Sequence, residues 1–283
     1  MGFGNVFGRS WRDYKANFGP IFKLLLIFYA LPILVLFILS SWWMVHNGLA
    51  GQIVSTYNSM NSFGNITALV SNQNNINVMG IQGLLKNSFS LPFFLVFLPI
   101  LIIFIFINYF SCVALYSASL RKDKFSFEEL ILAGKKWYWK SLGFTIVLMI
   151  FLVLLFMALI IPGIIFSVFW IFSYLVFLDG GKGIISSLKG SFRIVKKRWW
   201  KTLGYILLFF LIMMGISIIF GIPSLIMQVI FLFVAYAGKM SIGMIVLSGF
   251  VKQIFNIALN FVTIPLSVLF IKNFYLLAKK NRK

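Results

Sequence analysis

Across 283 residues the chain is 61% hydrophobic and only 11% charged, with a mean hydropathy of +1.01. Soluble domains carry roughly a quarter charged residues, so an ordinary soluble enzyme, a disordered chain and a collagen-like chain are excluded. Lys and Arg number 25 against 5 Asp and Glu, and one Cys and one His leave no disulfide framework or Cys/His metal cluster to build.

Residues 1–19 read as an interfacial helix, because Phe7, Trp11, Tyr14 and Phe18 recur with gaps of 4, 3 and 4 among basic residues. Leu24 to Val45 is free of charge for 22 residues and ends in Trp42–Trp43, not a small-x-small cleavage site. It therefore predicts a span over 20–45 in place of a cleaved signal. Residues 46–90 form an Asn- and Ser-rich outer loop, suited to a small cap or a flexible surface loop. Asn65-Ile66-Thr67 there matches a glycosylation acceptor, a pattern common by chance. The uncharged run from Leu91 to Leu120 predicts a span over 91–118. A second interfacial helix is expected over 122–140, where Ser126-Phe127-Glu128-Glu129 has capping-box spacing.

Ser141 to Leu178 is uncharged for 38 residues, too long for one helix. Pro162-Gly163 divides it into spans at 141–161 and 163–179, since Pro lacks the donor a continuing helix needs. A third interfacial helix is expected over 182–201: Ile184, Leu188, Phe192, Val195 and Trp199 make one stripe, and Lys189, Arg193, Lys196 and Lys197 the opposite face. Thr202 to Gly238 is interrupted at Gly221-Ile222-Pro223, predicting a span over 202–221. Residues 224–250 are apolar but split by Lys239, and read as a re-entrant or outer-surface segment. Gln253 to Ile271 predicts the last span, 253–271.

The expected fold is all-α: a polytopic membrane helical bundle of six spans with three interfacial amphipathic helices on the inner leaflet. With both termini cytoplasmic, every cation except Lys86, Lys239 and Lys252 lies on the inner side. A seventh crossing would put Lys279, Lys280, Arg282 and Lys283 outside, against that rule. An internal repeat supports the same layout. KKWYWKSLGF from Lys135 and KKRWWKTLGY from Lys196 are identical at six of ten positions, and the offset of 61 carries Ile161-Pro162 onto Ile222-Pro223. A fainter third copy sets Ser10-Trp11-Arg12 against Ser191-Phe192-Arg193. The unit is a parallel repeat of interfacial helix plus hairpin.

Little in the chain carries chemistry. Asp13, Asp123, Glu128 and Glu129 sit among basic residues as local counter-charges; Asp179 could orient the neighbouring basic helix or meet a cation, with a helix start favoured, ahead of Gly180-Gly181-Lys182-Gly183, a run without Walker spacing. His46 fits a surface position and Cys112 a small packing residue. Two patterns rise above this. Arg12, Lys15, Lys135, Lys136, Lys140, Lys189, Arg193, Lys196, Lys197, Arg198 and Lys201, with Trp199 and Trp200, are either anchors that orient the spans or a lipid-headgroup site. Gln253, Asn256, Asn260, Thr263 and Ser267 share one face of the last span, with Asn108 able to meet it, and form either interhelical hydrogen bonds or a polar path.

Ile160 to Leu211 resembles the core of the integral membrane domain found beside some glycerophosphoryl diester phosphodiesterases and in stand-alone prokaryotic proteins. The resemblance rests on Pro162-Gly163, Asp179-Gly180, Ser187 to Arg193 and Lys197 to Lys201, while Ser10 to Lys23 is similar to that family's first helix. It implies a multi-pass protein of the prokaryotic plasma membrane; the phosphodiesterase is a separate soluble domain, so hydrolysis is not implied. The expected function is non-enzymatic engagement of anionic phospholipid, as a membrane or assembly scaffold. The alternative is a transporter, channel or lipid-translocating protein using the last-span polar face. Membrane lipids, a second copy or another membrane protein are the expected partners; no nucleic acid, cofactor or metal is expected.

Overall fold

A computed structural model describes residues 2–59, 91–181, 183–237 and 241–280. Asn65, Lys86, Lys182, Lys239, Arg282 and Lys283 lie outside the described residues. Among those described every regular element is a helix, and six helices are long and apolar enough to cross a membrane.

Helix α1 (Phe3–Ala16) is separated by Asn17 alone from α2 (Phe18–Leu25), which continues through a π-helical turn (Leu26–Ala30) into α3 (Leu31–His46). Pro32 cannot donate to the carbonyl four residues back, and the helix widens into the π turn just ahead of it. Gly48, at φ +69°, turns the chain into α4 (Leu49–Ser59), so the first part of the expected outer loop is helical. Helix α5 (Leu91–Ser119) follows the span predicted over 91–118 closely.

Helix α6 (Phe127–Ala158) starts on the predicted capping box. Glu129 N–H donates to Ser126 Oγ at 3.2 Å, and Ser126 N–H donates to Glu129 Oε2 at 3.0 Å. The helix then runs unbroken, so the basic segment expected as a separate interfacial helix over 122–140 is the first part of one 32-residue helix. Ser126→Ala is expected to cost about 1 kcal/mol, seen as a small drop in the thermal midpoint; Ser126→Asp keeps a capping oxygen and should retain most of the stability.

The break expected at Pro162-Gly163 falls instead at Leu159, which is extended (φ −159°, ψ 132°) between α6 and α7 (Ile160–Phe169). In a continued helix the Pro162 ring would strike the carbonyl of Ala158. In the first turn of α7, by contrast, its missing N–H is one the helix would leave unpaired anyway. Gly163 then lies against Phe156, where a Cβ would come within 2.6 Å of the ring. The expected span 163–179 is itself interrupted at Trp170–Phe172 before α8 (Ser173–Gly180). Gly181, at φ +57°, ends α8 in the left-handed conformation that glycine adopts without strain.

Helix α9 (Ile184–Val195) and a 3-10 turn (Lys196–Arg198) lead into α10 (Trp199–Tyr236), and α11 (Ile242–Lys280) closes the chain. Of residues 224–250, expected as a re-entrant or outer-surface segment, 224–236 continue α10 and 242–250 begin α11. Pro223 stays inside α10 because breaking a helix in an apolar stretch strands up to eight backbone groups, whereas the proline forfeits one bond. The two prolines related by the 61-residue offset thus sit in different local structures.

The described residues form two compact bodies, one within Met1–Tyr29, Ile107–Gly215 and Asn260–Lys283, the other within Ala30–Phe106 and Ile216–Leu259. In the first, Ile21, Leu24, Leu115, Leu130 and Leu269 pack together, as do Val6, Phe172, Leu175, Val195 and Phe270. Phe144, Trp137 and Phe177 form a third cluster with Val113. The buried face of α9 is Ser187, Leu188, Ser191 and Val195, with Ile184 and Phe192 half-buried. Small residues allow this: a Cβ on Gly190 would lie 2.9 Å from Val176 Cγ1, and Ser191 Oγ donates to Phe169 O at 2.6 Å. Ser191 Oγ also accepts from Phe172 N–H at 3.1 Å, so one hydroxyl pins the turn between α7 and α8. In the second body Phe37 packs on Phe250, Trp43 on Phe97, and the His46 ring stacks on Trp42 with centroids 5.1 Å apart.

Candidate functional site

Among the described residues, the first body contains every acidic residue and every basic residue except Lys252. A buried ionic framework organises them. Helix α1 buries Val6, Ser10 and Tyr14, while Trp11 and Phe18 are exposed and Phe7 is half-buried. Asp13, one residue before Tyr14, accepts at Oδ2 from Lys272 Nζ and from Asn273 Nδ2, both at 2.9 Å. Lys272 is 1% exposed, and Asn273 also donates to Ser10 Oγ at 3.1 Å.

Asp123 Oδ1 lies 3.7 Å from the same ammonium and 3.6 Å from Arg9. Buried Asn17 completes the framework. Its Nδ2 donates to the backbone oxygens of Asp13 and Asp123, and its Oδ1 accepts from Phe125 N–H. Tyr14 donates to Phe261 O at 3.2 Å, and burial pushes its phenol above the ordinary value.

Asp179 serves a different end from the helix start expected of it. It lies in the last turn of α8 and accepts from Tyr275 Oη at 2.7 Å and from Lys279 Nζ, tying α8 to the C-terminal part of α11. Helix α9 starts after Gly183 with no side-chain cap.

Around this framework the predicted cations are exposed, several of them over aromatic rings. Lys15 lies over Trp11, Lys140 over Trp137, Lys196 over Phe192 and Lys201 over Tyr205, at 5.4 to 5.9 Å from the ring centres. Lys135 is exposed on α6, and Lys136 lines a hollow of about 220 Å³ with Arg121, Lys122 and Glu129. Lys197 and Arg198 are exposed on the 3-10 turn. Trp199 donates to Ile165 O at 3.4 Å, while neighbouring Trp200 is 79% exposed.

Two larger grooves flank the end of α11. Lys189 and Arg193 join Lys279, Ser186 and Asp179 around one of about 350 Å³. Arg12 joins Arg9 and Lys280 around another of about 650 Å³.

A profile described as a domain of unknown function, DUF7847, matches residues 130–276. The chain belongs to the DUF7847 family. No curated protein and no solved structure matches it. The DUF7847 description names neither a glycerophosphoryl diester phosphodiesterase nor a membrane family. Within the DUF7847 match lie Asp179, Lys272, Asn273 and Tyr275, whereas Ser10, Asp13 and Lys279 lie outside it.

The last-span polar residues also lie inside the DUF7847 match, divided between the two bodies. In the first body Asn260, Thr263 and Ser267 are half-buried. Asn260 hydrogen-bonds the Tyr29 hydroxyl and accepts from Thr263 at 3.5 Å, and Ser267 donates to Thr263 O at 2.7 Å. Asn108, on α5, is half-buried. In the second body Gln253 is half-buried and Asn256 exposed. Sequence reasoning missed Asn17, Lys272 and Asn273. A signal for part of this was present: Ser10, Asp13 and Asn17 recur with gaps of 3 and 4, a polar stripe beside Tyr14.

Proposed function

We propose that this DUF7847 protein is a non-enzymatic, multi-pass membrane protein that engages anionic phospholipid through basic, aromatic segments on the inner face of the membrane. The segments 1–19, 122–140 and 182–201 act there as lipid-facing repeats, each leading into a span, and the protein serves as a membrane or assembly scaffold. The observation that carries this reading is the gathering of nearly all cations on one body, exposed and interleaved with Trp11, Trp137, Phe192 and Tyr205. Rings of this kind settle at the headgroup boundary while Lys and Arg meet phosphates. The likeness of Ile160 to Leu211 to a prokaryotic membrane domain supports the same placement.

Each Lys or Arg near an anionic leaflet contributes about 1 kcal/mol. Replacing Lys196, Lys197 and Arg198 together by Ala is therefore expected to weaken retention of phosphatidylglycerol on the order of a hundredfold. Native mass spectrometry of the detergent-purified protein reads this directly. Equal retention of phosphatidylglycerol and phosphatidylcholine, unchanged in the triple variant, would overturn the proposal.

A further inference from the structure

We propose that the 650 Å³ groove between α1 and the C-terminal part of α11 holds a single anionic phospholipid, its phosphodiester between Arg9, Arg12 and Lys280 and its acyl chains over Leu276 and Leu277. This rests on the lipid-engaging reading above and names one site for it. The lining contains three cations and no acid, so the groove selects an anion. Leu276 and Leu277 give it an apolar wall beside the charges, the combination a lipid satisfies and a free phosphate does not. Gly4 and Gly8 line the groove on α1, where a Cβ on either would enter open space among the described residues.

Asn273 supplies the independent sign of an occupant. It lines the groove, is 3% exposed, and commits its Nδ2 to Asp13 and Ser10, which fixes the amide orientation because a carboxylate only accepts. Among the described residues its Oδ1 is buried with no partner. A buried unpaired acceptor costs about 1–3 kcal/mol, and the hydroxyls of a phosphoglycerol headgroup are donors suited to it. An ammonium headgroup would be repelled by the three cations.

The open space at Gly8 provides the test, since Gly8→Leu fills the groove without removing a charge. In native mass spectrometry of the full chain, wild type should keep one phosphatidylglycerol at detergent concentrations that strip phosphatidylcholine. Gly8→Leu should lower that occupancy about tenfold with the thermal midpoint unmoved. Should Gly8→Leu shift the midpoint, the exposed pair Arg12→Gln and Lys280→Gln carries the same expectation, each cation near an anionic lipid being worth several-fold in affinity. Undiminished phosphatidylglycerol occupancy in the filled or neutralised variant overturns the groove site, even where wild type prefers anionic lipid. Absence of any such preference in wild type overturns the wider reading as well. Millimolar inorganic phosphate or glycerol 3-phosphate should leave the lipid in place; its displacement would assign the groove to a soluble phosphate instead.

Discussion

Asp13→Ala is expected to destabilise the detergent-purified protein by about 3 kcal/mol, because it strips the nearer anion from an ammonium that water cannot reach. Lys272 Nζ lies 2.9 Å from Asp13, and its side chain is 2% exposed. The expected loss sits at the lower end for a broken buried pair because Asp123 remains 3.7 Å away, although that carboxylate is 72% exposed and screened by solvent. Asn273 loses an acceptor in the same substitution, so the damage extends to two side chains of α11. Thermal unfolding followed by tryptophan fluorescence measures the effect. The double variant Asp13→Leu with Lys272→Leu should recover most of the loss, since a buried pair replaced by apolar groups is often neutral. A double variant as unstable as Asp13→Ala alone would show that the charge pairing is not what holds α1 to α11.

Phe270→Ala should cost about 3–5 kcal/mol, the usual range for emptying a buried aromatic site. The ring is 1% exposed and stacks on Phe209 with centroids 4.1 Å apart and planes 8° from parallel. Phe3 and Phe274 approach it at 5.5 and 6.1 Å, so α1, α10 and α11 all lose contacts when it is removed. Apolar surface buried against lipid-facing helices gains little from leaving the bilayer, so the cost comes from the unfilled cavity and lost dispersion contacts. Phe233→Ala, at a site on α10 that is 69% exposed, is the control and should stay within about 0.5 kcal/mol of wild type. Equal effects at the two positions would mean that the Phe270 stack does not hold the helices together.

Hydropathy and charge alone determined the helical class, the six candidate spans and the start of α6, because each depends on residues close in sequence. A run of about twenty apolar residues needs a helix to pair its backbone wherever it lies in the bilayer, and Ser126 and Glu129 cap within one turn. Local reasoning reached less far where a neighbour decided the outcome. Pro162 and Pro223 are related by the 61-residue offset, yet the chain breaks at Leu159 ahead of the first, where Gly163 packs on Phe156, while α10 runs through the second into 224–236. Periodicity likewise found an apolar side on α1 and α9, but packing decided which part of each helix turns inward: Tyr14, Leu188 and Val195 are buried together with Ser10, Ser187 and Ser191, whose hydroxyls reach carbonyls.

Only the tertiary structure decided which charges pair. Asp13 and Lys272 stand 259 residues apart, and Asp179 and Lys279 stand 100 apart. No local pattern carries such a pairing. Composition says how many charges must leave or meet water, while the partner that makes burial tolerable is chosen by helix packing.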